Sequence, residues 1–74
     1  MVTFRQFLKK QIYRDDPVSD LAMDFLSDKR AKGLRSVESI RTHILTMTAD
    51  DLVLAALDQA IREYKMEMKN EAAP

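Results

Sequence analysis

Apolar residues recur at helical spacing in four stretches of the chain. The longest stretch, from Thr48 to Lys69, places seven of them on one side of a helix: Val53, Leu54, Leu57, Ala60, Ile61, Tyr64 and Met68. Thr48 followed by Asp51 predicts a helix start near residue 49, because a threonine cap and a first-turn carboxylate both stabilise a helix N-terminus. Such a helix spans roughly 30 Å, so the shorter helices are expected to pack along it. Three further apolar residues predict a second contact face in its first half: Leu52, Ala55 and Ala56.

Two helices are predicted before the single glycine. Thr3 and Gln6 form a capping-box pattern for a helix over residues 4–13, in which Arg5 faces water and four residues face the core: Phe4, Phe7, Leu8 and Ile12. Asp16 is a good N-cap and Pro17 a good first residue for the next helix. Its core-facing residues follow the same spacing: Val18, Leu21, Ala22, Phe25 and Leu26.

Gly33 marks the predicted end of the second helix. Basic residues in a last turn, followed by a glycine in the left-handed conformation, are typical of a helix C-terminus and predict a helix over 17–31. Ser36 then caps a third helix over 37–46, with four residues on its inner face: Val37, Ile40, Ile44 and Met47. We therefore predict an all-α fold of four helices, at 4–13, 17–31, 37–46 and 49–69. The single domain covers residues 1–74, ordered over about 3–69 with a frayed tail at 70–74.

Composition narrows the class of protein further. A chain of 74 residues forms one small domain with a modest core. The absence of cysteine is typical of a reducing compartment, and no stretch approaches the ~20 apolar residues of a membrane span. We expect a cytoplasmic protein that does not enter a membrane. Twelve acids balance twelve bases, but residues 1–41 carry nine bases against six acids.

A stripe of carboxylates follows one face of the predicted second helix: Asp16, Asp20, Asp24 and Asp28. Like charges four residues apart repel weakly, and this cost suggests a functional role for the stripe. It could serve as a surface for a divalent cation or a basic partner. A solvated face explains it better. Asp16 and Asp20 lie where the helix dipole favours negative charge, and Asp28 can pair with Lys32. Calcium loops also need a glycine turn that this segment lacks.

The residue inventory argues against an enzyme. The chain has one histidine, no cysteine, no glycine-rich phosphate loop and no zinc-type spacing, so the usual nucleophile, base and metal sets cannot be assembled. His43 lies at the margin of an apolar face, where we expect one ordinary hydrogen bond. We expect no catalytic residue, cofactor, metal or small-molecule substrate.

The densest cluster of like charge is basic. Lys29, Arg30, Lys32 and Arg35 fall within seven residues and could hold the phosphates of a nucleic acid or another anionic partner. Capping of the preceding helix explains the same residues, and no aromatic residue is interleaved for base stacking. Tyr64, Met66 and Met68 form a second candidate surface, because methionine side chains adapt to partner proteins; core packing explains Tyr64 and Met68 equally well.

These patterns together resemble the YozE family of small bacterial proteins. The resemblance covers about residues 3–65 and depends on apolar and turn positions: Phe4, Phe7-Leu8, Asp15 to Pro17, Asp20-Leu21-Ala22, Asp28, Ile40, Ile44-Leu45, Leu57-Asp58-Gln59-Ala60 and Tyr64. It implies a four-helix fold similar to the sterile alpha motif domain and carries over no functional residue. Residues 29–32 stand where such proteins usually have an aromatic-proline step, and Ile61 stands where a tryptophan is common.

The sequence favours an interaction module over a nucleic-acid-binding protein. A stable helical domain without a set of catalytic residues is typical of such a module, and domains of the resembled fold commonly bind other proteins. We expect a non-enzymatic protein that binds another protein or itself. The alternative is a nucleic-acid-binding protein that uses the basic segment 29–35.

Overall fold

The computed structural model describes residues 2–72, and their side chains as far as residue 70. Its elements are α1 (Phe4–Lys9), α2 (Pro17–Ser27), the short 3-10 helix η1 (Lys29–Ala31), α3 (Val37–Met47) and α4 (Asp51–Ala72). The predicted all-helical architecture with four α-helices is confirmed. No helix within residues 2–72 has the length and apolar character needed to cross a bilayer.

The core forms where α1, α2 and α3 pack against α4. Its most enclosed large side chains come from three of the helices: Phe4, Leu8, Ile40 and Leu57. The predicted stripe on α4 is buried in the middle of the helix, at Leu57, Ala60 and Ile61. The second face predicted for its first half was wrong for two residues of three. Ala56 is buried, but Leu52 and Ala55 are exposed.

Local hydrogen bonds fix the helix starts. The Thr3 and Gln6 capping box is present, Asp16 accepts from the backbone N–H of Ser19 with Pro17 in the first turn, and Ser36 caps α3. Thr48, however, does not cap α4. Its hydroxyl accepts from the N–H of Asp50, and the Asp50 carboxylate accepts from the N–H of Leu52 at 2.9 Å. Asp50 is therefore the cap, and α4 begins two residues later than predicted.

The first helix is shorter than the predicted 4–13. After Lys9 the chain tightens into turns, in which Gln11 N–H donates to the carbonyl of Leu8 at 2.9 Å. The Gln11 side chain also donates to the carbonyl of Phe7 at 3.0 Å. These bonds satisfy carbonyls at the helix end, so a further α-helical turn is not needed. Ile12 still packs against the core.

The second helix ends at Ser27 instead of residue 31. Asp28 is extended, with ψ near 111°, and its carboxylate accepts from the N–H of Arg30 to begin η1. The predicted left-handed conformation of Gly33 was also wrong, because no described glycine has a positive φ. Lys32 and Gly33 lie in a turn after η1, where a left-handed cap is not required.

The third and fourth helices end near their predicted bounds. The third helix ends at Met47, one residue beyond its predicted end at residue 46. The fourth helix is described to Ala72, three residues beyond its predicted end at residue 69. The predicted fraying of residues 70–74 stays a prediction, since residues 73 and 74 lie outside the described residues.

Candidate interaction groove

An open groove lies between α2, the second half of α3 and the first turns of α4. Its volume is about 560 Å³. Apolar side chains from all three helices line it: Leu21, Phe25, Ile44, Val53 and Ala56. All except the half-buried Val53 belong to the buried core, so the groove floor is the outer surface of the core itself.

Two apolar residues at the groove edge are exposed to solvent. Met47, which the sequence placed on the inner face of α3, is 46% exposed, and Leu52 is 77% exposed. Both line the groove. The last turn of α3 and the first turn of α4 therefore carry apolar area that no described element covers. Apolar surface of this kind next to a concave floor is typical of a binding site.

Carboxylates lie along the groove. Asp20, Asp24 and Asp28 follow one another at four-residue intervals on the α2 side, and Asp50 lies at the start of α4. Asp20 and Asp24 are exposed, as a solvated face predicts. Asp16, the remaining member of the predicted stripe, caps α2 and binds Arg14. No group of three or more acidic or histidine side chains within the described residues is arranged to hold a metal ion.

Asp28 connects α3 and η1 at one end of the groove. Its carboxylate lies 2.8 Å from Nε2 of His43 on α3 and accepts from the N–H of Arg30 at 2.9 Å. The hydrogen bond with His43, followed by that with Arg30, lowers the pKa of Asp28 from 3.8 to about 2. The predicted pair between Asp28 and Lys32 is replaced by these partners. The single side-chain hydrogen bond expected for His43 is confirmed.

Arg5 supports the same region from α1. The sequence placed it in water, but it is half-buried, and its guanidinium donates to the carbonyls of Ala31 at 2.8 Å and Leu34 at 3.3 Å. The guanidinium also lies 5.3 Å from the centre of the Phe25 ring. It therefore satisfies one carbonyl at the end of η1 and one in the loop after it, while covering an aromatic ring of the groove. No local pattern could indicate this role, because the bonded carbonyls lie 26 and 29 residues away.

The predicted basic segment lies on η1 and the loop that follows it. Its four cations are all exposed: Lys29, Arg30, Lys32 and Arg35. Arg30 lies 3.3 Å from the Asp28 carboxylate, so part of its charge is already paired. The other three form no ion pair with any described residue. Binding of an anionic partner by this segment stays a prediction.

The methionine-rich segment of α4 divides into core and surface. Tyr64 packs against the rings of Phe4 and Phe7 at 5.3 and 5.6 Å, and its hydroxyl donates to the carbonyl of Val2 at 2.6 Å. Tyr64 is thus half-buried and packs against the core. Met66, in contrast, is 65% exposed.

Comparison of the chain with protein-family models, with curated proteins and with solved structures gives no match. The resemblance to the YozE family stays a prediction. A proposal for the function of this protein therefore depends on the geometry of the groove and of the neighbouring surfaces.

Proposed function

We propose that this protein is a non-enzymatic interaction module that binds a basic amphipathic helix of a partner protein in the groove. The supporting observation is that an apolar floor lies beside carboxylates of α2 and beside Asp50, the cap of α4. Amphipathic helices bind such grooves by burying apolar anchors at i, i+3, i+4 and i+7. Carboxylates along the groove select a partner with lysine or arginine beside those anchors.

The spacing of the carboxylates supports a helical partner. Asp20 and Asp24 lie four residues apart on α2, which corresponds to roughly 6 Å along the helix axis. A partner helix with cations one turn apart could meet Asp20 and Asp24 while its apolar face lies on the floor. Asp28 is already engaged by His43 and Arg30, so the exposed carboxylates of Asp20, Asp24 and Asp50 contribute most of the charge available to a partner.

The proposed fold type is a sterile-alpha-motif-like bundle of the kind found in the YozE family. Four helices, with a long last helix along which the others pack, support this proposal. The same fold type commonly serves association between proteins, which agrees with the groove.

Nucleic-acid binding through Lys29, Arg30, Lys32 and Arg35 is the alternative function. The observation that favours it is the exposure of four cations on one short segment. Two features oppose it. The carboxylate of Asp28 pairs with Arg30, and the carboxylates of the groove begin beside the segment and repel phosphates.

The experiment titrates the protein into a fluorescein-labelled model peptide and follows fluorescence anisotropy. The peptide is an amphipathic helix with leucines on one face and lysines in rows four residues apart, and a scrambled peptide of the same composition is the control. We expect the helical peptide to bind more tightly. The double variant Asp20→Asn and Asp24→Asn should weaken its binding about tenfold and reduce its salt dependence.

A matched variant carries Asp15→Asn and Glu38→Gln, which remove two exposed carboxylates away from the groove. Asp20 and Glu38 both lie in the first turn of a helix, so the two double variants alter helix-dipole interactions similarly. Equal weakening by both variants would show that only net charge matters. A gel shift with single- and double-stranded nucleic acid that Lys29→Gln and Arg30→Gln together abolish would favour the alternative function.

A further inference from the structure

The side of α4 that faces away from the core is exposed along almost the whole helix. We call it the outer face. It consists of nine exposed residues: Asp51, Leu52, Ala55, Asp58, Gln59, Arg62, Lys65, Met66 and Lys69. These residues recur at spacings of three, four and seven, so they form one continuous strip along the helix. No described element covers this strip.

Charge on the outer face is divided between its two halves. The first half carries the acids Asp51 and Asp58, and the second half carries only bases, at Arg62, Lys65 and Lys69. None of these three bases forms an ion pair with a described residue. The strip is therefore complementary to a copy of itself that runs in the opposite direction.

The exposed apolar residues of the outer face are also arranged symmetrically about its centre. Leu52 is 77% exposed and Met66 is 65% exposed, and each lies seven residues from Gln59. A two-fold axis through Gln59 would place Leu52 of one copy level with Met66 of the other. The same axis would place Arg62 opposite Asp58, and Lys65 and Lys69 opposite Asp51, each within roughly one helical turn of 5.4 Å.

We propose that two copies of this chain associate through their outer faces, with the two α4 helices antiparallel. Parallel pairing would place Asp51 beside Asp51 and Lys65 beside Lys65, so like charges select the antiparallel arrangement. Antiparallel helix dipoles add to this preference. The contact is isologous and closes as a dimer, because each copy contributes the same strip.

A second copy is the occupant that the charge pattern favours, because the pattern complements itself. The described part of the chain does not pair these charges within itself. Asp58 forms no ion pair with Arg62 four residues later, and Asp51 and Lys69 lie roughly 27 Å apart on one helix. The dimer goes beyond the groove function and does not use Asp20 or Asp24. Leu52 alone belongs to both surfaces, so the experiment leaves it unchanged.

The experiment measures sedimentation equilibrium of the parent and of two charge-reversal variants, D58R and R62E, over a range of concentrations at low salt. We expect the parent to show a monomer–dimer equilibrium. Each variant alone places like charges opposite each other in its own dimer, so its dissociation constant should rise about tenfold or more. An equimolar mixture of the two variants restores both attractive pairs and should dimerise about as tightly as the parent.

Charge reversal of Arg41, an exposed base on α3, is the matched control and should leave the equilibrium unchanged. Thermal melting by circular dichroism checks that each variant is folded. The proposal is wrong if the folded parent stays monomeric, if the single variants dimerise as the parent does, or if the mixture is no tighter than the variants alone. Peptide binding by D58R and R62E separates the two proposals, because both variants keep every groove residue and a functional groove binds the peptide in their monomers.

Discussion

At the scale of single residues, Asp28 connects three parts of the molecule. Its extended backbone ends α2, its carboxylate caps η1, and the same carboxylate meets His43 on α3. The carboxylate has three partners, a backbone N–H, a guanidinium and a ring nitrogen, and negative charge strengthens the contact with each of them. Protonation of this one carboxyl group therefore weakens one end of the groove.

The lowered pKa of Asp28 gives a prediction for acid stability. Its pKa is 3.8 in an unfolded chain and about 2 in the fold. A group whose pKa is lowered by folding stabilises the fold above its unfolded pKa and loses that contribution as pH falls toward its folded pKa. The parent should therefore lose stability relative to Asp28→Asn between pH 3.8 and about 2.

Urea unfolding followed by circular dichroism at several pH values measures this difference. Asparagine is also a good cap, so Asp28→Asn removes the charge while keeping the backbone hydrogen bond. Asp15→Asn is the control, because Asp15 is exposed and outside the groove. If the stability difference between parent and Asp28→Asn were constant from about pH 6 to about pH 2, the charge of Asp28 would have no role in the fold.

At the scale of elements, the starts of α1, α2 and α3 could be predicted, whereas the ends of α1 and α2 could not. A start depends on residues within one turn, such as Thr3 with Gln6 or Asp16 with Pro17, and these pairs are visible in the sequence. The end of α2 depends on His43, which lies 15 residues beyond Asp28. The basic residues that suggested a longer helix belong instead to η1 and its turn.

The same distinction explains which parts of the groove could be predicted. The core-facing stripe of each helix and the carboxylate stripe were visible in the sequence, because each follows the period of one helix. The groove exists only where three helices meet, and the exposure of Met47 at its edge depends on how α3 passes into α4. No pattern within a single helix contains that information.

The backbone of Gly33 gives a prediction about the end of η1. Its φ is not positive, and a β-carbon at this position would meet nothing within 4 Å. Gly33→Ala should therefore raise the free energy of unfolding by about 0.4 to 1 kcal/mol, because alanine restricts the unfolded chain without straining the fold. Urea unfolding measures the change. A left-handed Gly33 would give the opposite sign, since alanine is strained there.

At the scale of the whole molecule, α4 determines the length of the protein. One arginine, in the segment after α1, binds the middle of this helix. The molecule measures 39 by 25 by 20 Å, and α4 alone accounts for roughly 33 Å. Arg14, in the segment before α2, donates to Asp16 and, through two nitrogens, to Glu63 of α4, 49 residues away. The Arg14 hydrogen bond lowers the pKa of Glu63, and the Glu63 hydrogen bond raises the pKa of Arg14.

This connection predicts a measurable coupling between two distant parts of the chain. Arg14 and Glu63 have side chains that are each 29% exposed, and the guanidinium binds both carboxylate oxygens. A double-mutant cycle with Arg14→Gln and Glu63→Gln should give a coupling of about 0.5 to 1 kcal/mol, near the upper end for partly exposed pairs. Urea unfolding at low and high salt supplies the measurement, and the coupling should shrink as salt screens the pair.

The control cycle replaces Arg14→Gln by Arg41→Gln. It should show no coupling to Glu63, because Arg41 forms no ion pair with a described residue. If the Arg14 cycle gave no more coupling than the Arg41 cycle, packing of Phe4 and Phe7 against Tyr64 would be the main link between the N-terminal segment and the second half of α4.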